Sequence, residues 1–241
     1  MKPRSTGIKF LCLSALLTVI CPAFGDTPNQ LSEEEKVGGW KLLFDGKTTQ
    51  GWHTFKKHTF PEKGWDVQET WFHGLGKGGG DILSDGEFDQ FELEWEWKLA
   101  PGGNSGLKYF VLESRSAPLG HEYQMLDDEG EPDPKTFGKH STASFYDVLK
   151  PAILPPTKPA GEINKSRIVV QGNRVEHWLN GVKVLDYSCS SEAVKVAVAE
   201  SKFKSVNGFG NRIKGHILLQ EHGKEVWFRN LKIRDLSGRK E

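Results

Sequence analysis

Two short stretches of the 241-residue chain combine acids, amides and histidine in patterns that could do chemistry. "GHEYQMLDD", residues 120–128, alternates in type, so Glu122 and Gln124 share one face of a strand, and Asp127 and Asp128 follow where that strand ends. An acid, an amide and further acids beside a tyrosine, leading into a long loop, could bind a polyhydroxyl ligand. A capped turn with its carboxylates in water is the alternative, and for Asp128 it is the preferred reading. "LLQEHGKEVWFRN", residues 218–230, places Gln220, Glu221 and His222 at a hairpin end. His222 there is either an exposed turn residue or, facing an acid across a cleft, a general base.

Other patterns carry less. Glu92, Glu94 and Glu96 in "FELEWEWK" lie on one strand face, about 6.5–7 Å apart between neighbours. That is near the separation an inverting carboxylate pair needs, but every alternating exposed strand has it, and we read a polar sheet face relieved by water. "GLGKGGG" contains G-x-G-x-x-G, but "DILSDGEF" follows it as strand and turn, not as the helix a dinucleotide site requires. Cys189 has no metal-type partner spacing, and no H-E-x-x-H occurs. A metal site assembled from distant strands stays open. His177, flanked by Val and Leu, reads as a core histidine bonded to Asp186, with a catalytic role as the alternative. Of the eight Trp most are expected in the core. Trp178, sharing a face with Tyr187, Lys183 and Glu176, is the candidate for stacking on a sugar ring.

The elements that would hold these residues read as strands. Turn signals at Asp45-Gly46, Asp85-Gly86, Gly102-Gly103, Asn180-Gly181 and His222-Gly223 separate short runs rich in Val, Ile, Trp and Phe. Strands are predicted near 40–44, 64–73, 80–83, 88–99, 104–113, 121–126, 165–171, 173–179, 182–188, 213–220 and 225–235, which indicates an all-β sandwich or barrel. Asn180-Gly181 predicts a type I′ hairpin pairing 179 with 182, 177 with 184 and 175 with 186. Residues 114–164, rich in Pro and Gly, read as a long loop folded over one face.

Lys2, Arg4 and Lys9 precede the apolar run "FLCLSALLTVI", and "Ala23-Phe24-Gly25" suits cleavage before Asp26. We read 1–25 as a signal peptide, 26–37 as a polar lead and 38–241 as one sandwich domain, exported to a periplasm or beyond. Val19 and Ile20 disfavour a lipid anchor at Cys21. Lys+Arg and Asp+Glu balance at 32 each. Losing the three leader cations and no acid leaves −3, so nothing suggests nucleic acid, and no second apolar run suggests a membrane span. Only Cys189 survives cleavage, so no internal disulfide forms.

Taken in order, "GWKLLFDGKTTQGW", "GGGDILSDGEFDQFELEWEWK", "GGNSGLKYFV", "GHEYQMLDD", "VEHWLNGVKVL", "SKF" and "GHILLQEHGKEVWFRNLKIR" resemble the 3-keto-disaccharide hydrolase domain family, from about residue 38 to 236. The resemblance implies an antiparallel β-sandwich (jelly roll) of the concanavalin A-like lectin/glucanase type, usually exported, acting on 3-keto-glycosides. It implies Glu122 or His222 as base, Lys108 or Lys202 as enolate stabiliser, and Asp127 as acid or sugar ligand. Gln124, Gln220, Trp178, Asn104 and His177 would contact substrate. No metal ligand is implied, and a divalent cation is the alternative electrophile. The chain departs from the family pattern at Glu131 and at Ile163 in "GEIN", two loop positions that bear on substrate preference. The alternative function is a non-catalytic, lectin-like carbohydrate-binding domain on the same sandwich. An ordinary glucan hydrolase is disfavoured, because "ELEWEW" lacks the central Asp of the E-x-D-x-x-E strand of sandwich glucanases. N-terminal sequencing of the exported protein is expected to begin at Asp26; an intact leader would contradict the signal-peptide reading.

Overall fold

The computed structural model describes Met1, residues 27–130 and residues 137–238. The rest of the leader, with its predicted cleavage site, and Glu131 lie outside the described residues. Two antiparallel sheets face each other. The first has the order β11 (Val182–Ser188), β10 (Arg174–Leu179), β9 (Asn164–Gln171), β6 (Phe91–Leu99), β13 (Glu225–Asp235), β4 (Trp71–Leu75), β3 (Trp65–Gln68), with β1 (Trp40–Leu42) also pairing with β13. The second has the order β2 (Trp52–Thr54), β5 (Ile82–Phe88), β12 (Gly215–Leu219), β7 (Asn104–Val111), β8 (His121–Leu126). The expected all-β sandwich is the fold. The period-two apolar residues meet between the sheets, among them Trp52, Trp65, Trp95, Trp97, Tyr109 and Phe228.

Three elements differ from expectation. Residues 64–73 form two strands, because Glu69 and Thr70 both take positive φ (47° and 70°) and turn the chain without a glycine. Asp85-Gly86 lies inside β5, where the pairing with β12 shifts register, so it bulges a strand instead of ending one. Two short helices occur among the described residues, α1 (Glu33–Val37) and α2 (Glu192–Ala199). A capping box of Ser32 and Glu35 starts α1, and Ser191 caps α2, which buries Val194, Ala197 and Val198.

The Asn180-Gly181 turn forms with both residues at positive φ, and Leu179 pairs with Val182 as expected. A bulge then intervenes. His177 pairs with Leu185, not Val184, and Val175 pairs with Tyr187, not Asp186. Every residue beyond the bulge changes face. Tyr187 enters the core and Asp186 goes outward to Arg174 and Lys183. Hydrogen bonds from these two cations hold the Asp186 carboxyl down at about 2. His177 is indeed a core residue, but its partners are Ala143 O (2.9 Å) and Tyr109 Oη (2.8 Å).

The outer face of the larger sheet answers the question of the three glutamates. Cations on β9 and β13 flank them: Arg167 and Arg234 bond Glu92, Lys165 and Lys232 reach Glu94, and Arg229 bonds Glu96 at 2.7 Å. It is a polar face, as expected, but ion pairs relieve the repulsion as well as water. Such pairs are worth about 0.2–1 kcal/mol each when exposed, so they hold register more than they hold the fold. Trp40, Trp71, Trp178 and Trp227 lie outside the main core, each with a Lys or Arg over its ring.

Inside the sandwich runs a buried polar chain. Ala143 O only accepts, so His177 Nδ1 carries the proton and Nε2 accepts from Tyr109. Tyr187 must then donate to Tyr109 (2.7 Å), and His121 Nδ1 donates to Tyr187 (2.9 Å). His121 Nε2 ends the chain without a partner among the described residues. Burial pushes His121 down to about 3 and His177 to about 4. Both are therefore neutral when folded and charged when unfolded below pH about 6.5. Their contribution is complete above that pH and is lost as pH falls toward 4, about 3 kcal/mol for His177. Imidazole NMR signals of His121 and His177 are expected to stay in the neutral form from pH 8 to pH 5 in the folded protein. A titration midpoint near 6.5 for either would contradict the buried chain.

Candidate active site

The smaller sheet presents its second face away from the core, and strand register aligns residues on it in rows. Following the pairings across β2, β5, β12, β7 and β8, one row reads His53, Leu83, Leu218, Lys108, Glu122. The next row holds Asp81, Gln220, Gly106 and Gln124, since Gln220 N bonds Gly106 O and Gly106 pairs with Gln124. Tyr109 and Tyr123, one residue out of phase, enter the core instead. Lys108 and Glu122 are 8% and 6% exposed, and Gln124 is 2% exposed, so the row is recessed.

Lys108 Nζ lies between two carboxylates, 3.3 Å from Asp81 and 4.0 Å from Glu122. Asp81 also accepts from the backbone of Glu221 at 3.2 Å, which ties the glycine-rich loop before β5 to the hairpin that carries His222. The Glu122 carboxylate lies over Gly106. A Cβ there would stand 2.8 Å from Glu122 Oε1, so glycine makes the room. In its satisfied orientation the Gln124 amide donates to Glu122 Oε1 at 3.2 Å. Asn104 abuts Gln124 at 3.3 Å.

A second layer comes from loops. The segment 137–150 runs beside edge strand β8, where Phe145 bridges Tyr123 and the Tyr146 N–H donates to Glu122 O at 3.0 Å. Asp147 accepts from His140 (2.8 Å) and from the backbone of Lys202 (2.7 Å). The Lys202 ammonium lies 4.1 Å from the Tyr146 ring centroid. Burial raises the Glu122 carboxyl above the usual range, against the pull of Lys108 and Lys202, with Asp81 adding to the rise and His222 opposing it. Desolvation lowers Lys202, opposed by Glu122 and Asp147.

Glu122 thus meets Lys108 directly and feels the charges of Lys202 and His222, with Gln124, Gln220 and Asn104 beside it. Three predicted site residues fall elsewhere. Asp127 is five residues along from Glu122, roughly 17 Å at strand rise, and accepts from Gly102 N at 2.8 Å to shape the turn before β7. His177 is wholly buried between the sheets. Trp178 lies on the outer face of the other sheet, its Nε1 on Glu176 and Arg167 over its ring, and the bulge takes Tyr187 away from it. Two participants were missed in the sequence. Asp81 closes the rejected glycine motif "GGGD", and Asp147 sits at positive φ in "FYDV"; neither has a spacing that points to β8.

The donor set does not suit a divalent cation. Only Asp81 and Glu122 supply carboxylates to the row, and Lys108 stands between them. Among the described residues no group of three or more His, Cys, Asp or Glu is arranged to hold a metal.

Residues 39–234 match the family model of the 3-keto-alpha-glucoside-1,2-lyase-like domain. A 3-keto-disaccharide hydrolase of Bacteroides thetaiotaomicron is 36% identical over 231 residues, covering 82% of this chain and 79% of that protein. The crystal structure of a candidate glycosyl hydrolase from Parabacteroides distasonis superposes with TM-score 0.78 at 34% identity, covering 88% of this chain and 100% of that one. A second from the same species gives 0.67 at 25% identity, with 82% and 99% covered. The chain thus belongs to the 3-keto-alpha-glucoside-1,2-lyase-like domain family and is an enzyme of the glycoside hydrolase type.

Proposed function

We propose that the protein cleaves 3-keto-glycosides by elimination and hydration, with Glu122 as the base. The observation that carries this reading is a recessed carboxylate beside a lysine ammonium, over a glycine floor, on the open face of the smaller sheet. A carbonyl at C3 makes the C2 proton acidic. Glu122 takes that proton, and the C2–H electrons move toward O3, where Lys108 and then Lys202 offset the developing negative charge. The enolate re-forms the carbonyl and expels the glycosidic oxygen from C1, which takes a proton from His222 at the mouth of the site. Water then adds its hydroxyl to C1 and returns its other proton to His222, and C2 regains a proton from Glu122. The sum is glycoside plus water giving 3-keto-sugar plus free alcohol. Gln124, Gln220 and Asn104 stand where they can bind ring hydroxyls.

The raised Glu122 carboxyl suits the role, because a stronger base is matched to a weakly acidic C–H. It also has a cost. A carboxyl with a raised folded pKa stabilises the fold below its unfolded pKa, and this is lost as pH rises through the folded value. Glu122→Gln is expected to lower kcat on 3-keto-trehalose about 10²–10⁴-fold, with a melting temperature at neutral pH no lower than the parent's. Retained turnover would remove the proposed base. For the parent enzyme, kcat/KM should rise with pH as Glu122 deprotonates, with a midpoint above the ordinary Glu value of about 4.3. Gly106→Ala should lower kcat by displacing that carboxylate while leaving the fold's circular dichroism intact; unchanged kinetics would show that the glycine floor is not needed.

A further inference from the structure

Beyond β8 the site does not end at the sheet edge. Lys202 also lines a pocket of about 540 Å³ between the turn that follows β7 and the segment that follows α2. Arg115 stands on its other side, with Leu119 and Val206 as apolar wall and Ser116 and Asn207 as neutral polar groups. No carboxylate lines this pocket. Arg115 Nη1 donates to Leu119 O at 2.8 Å, and the guanidinium has no carboxylate partner among the described residues. This contrasts with the outer face of the larger sheet, where every glutamate of β6 has its cation. Two cations around an acid-free cavity, one of them the Lys202 whose charge also acts on Glu122, form a receptor for negative charge.

We infer that the pocket between Arg115 and Lys202 is the subsite for the leaving alcohol, and that it favours one bearing an anionic group such as a carboxylate. The inference rests on the 3-keto-glycoside reading for the reacting sugar, but the subsite itself can be read without turnover. Lys202 then faces both ways, toward O3 of the sugar and toward the acid of the leaving group. Arg115 touches the leaving group alone and sets specificity.

The test uses 4-carboxyphenyl and phenyl α-glucosides, unoxidised and inert, in calorimetric titrations of the full protein. The carboxylated probe is expected to bind at least tenfold more tightly at low salt, with the advantage shrinking as salt screens it. Arg115→Gln should abolish the preference and Arg115→Lys should keep most of it. Equal binding of the two probes, or a preference that survives in Arg115→Gln, would overturn the subsite. Loss in the Lys variant as well would assign the effect to the Leu119 turn and would also overturn it. The 3-keto forms of both probes separate the two readings. If neither is cleaved while the binding preference holds, the hydrolase reading fails and the anionic subsite stands. If both are cleaved with equal kcat/KM, the hydrolase reading stands and the subsite fails.

Discussion

The structure depends on keeping a lysine ammonium out of water between two carboxylates. Burying unpaired charge costs several kcal/mol per ion, so Lys108 is tolerable only where Asp81 and Glu122 meet it. Those three residues come from β7, the loop before β5, and β8. Their meeting requires that β5, β12, β7 and β8 pair in one register, because a one-residue slip of β7 or β8 would exchange Lys108 or Glu122 for a core tyrosine. The glycine at 106 is part of the same constraint. It sits one row from Lys108, where any side chain would occupy the space the Glu122 carboxylate fills.

The two outward faces of the sandwich show what this arrangement is for. On the larger sheet, acids and bases alternate between neighbouring strands and cancel pair by pair. On the smaller sheet the charges are recessed, fewer, and incompletely matched, and loops from three parts of the chain converge on them. The 137–150 segment, the turn after α2 and the β12–β13 hairpin bring Tyr146, Lys202 and His222 respectively. A folded protein that only needed stability would neutralise such a face. Recessed fixed charge of this kind suits the proposed reaction, which generates an enolate.

Much of this architecture is visible in the chain's residue types. Period-two alternation and Gly-containing turns locate nearly all the strands, since burial on one face leaves that pattern directly. The missed features share a cause: they are decided across strands. The bulge beside His177 has no local mark, yet it sends Tyr187 inward and Asp186 outward and so dissolves the stacking face assigned to Trp178. Glu69-Thr70 turns the chain without the residues that announce a turn. In the site, Glu122 and Gln124 follow from alternation and His222 from its place at a hairpin end, whereas Lys108 and Lys202 entered through family likeness, and Asp81 was hidden behind a glycine run. Which acid of "GHEYQMLDD" faces the lysine depends on where β8 ends, and the strand stops before Asp127, which shapes a turn instead.

The central claim is that the glycosidic bond breaks only after the C2 proton is removed. It is tested most directly by comparing kcat/KM for 3-keto-trehalose carrying hydrogen or deuterium at C2, with unoxidised trehalose alongside. The account predicts a hydrogen/deuterium ratio clearly above one and no release of sugar from trehalose. A ratio of one with efficient cleavage, or equal cleavage of trehalose, would contradict it.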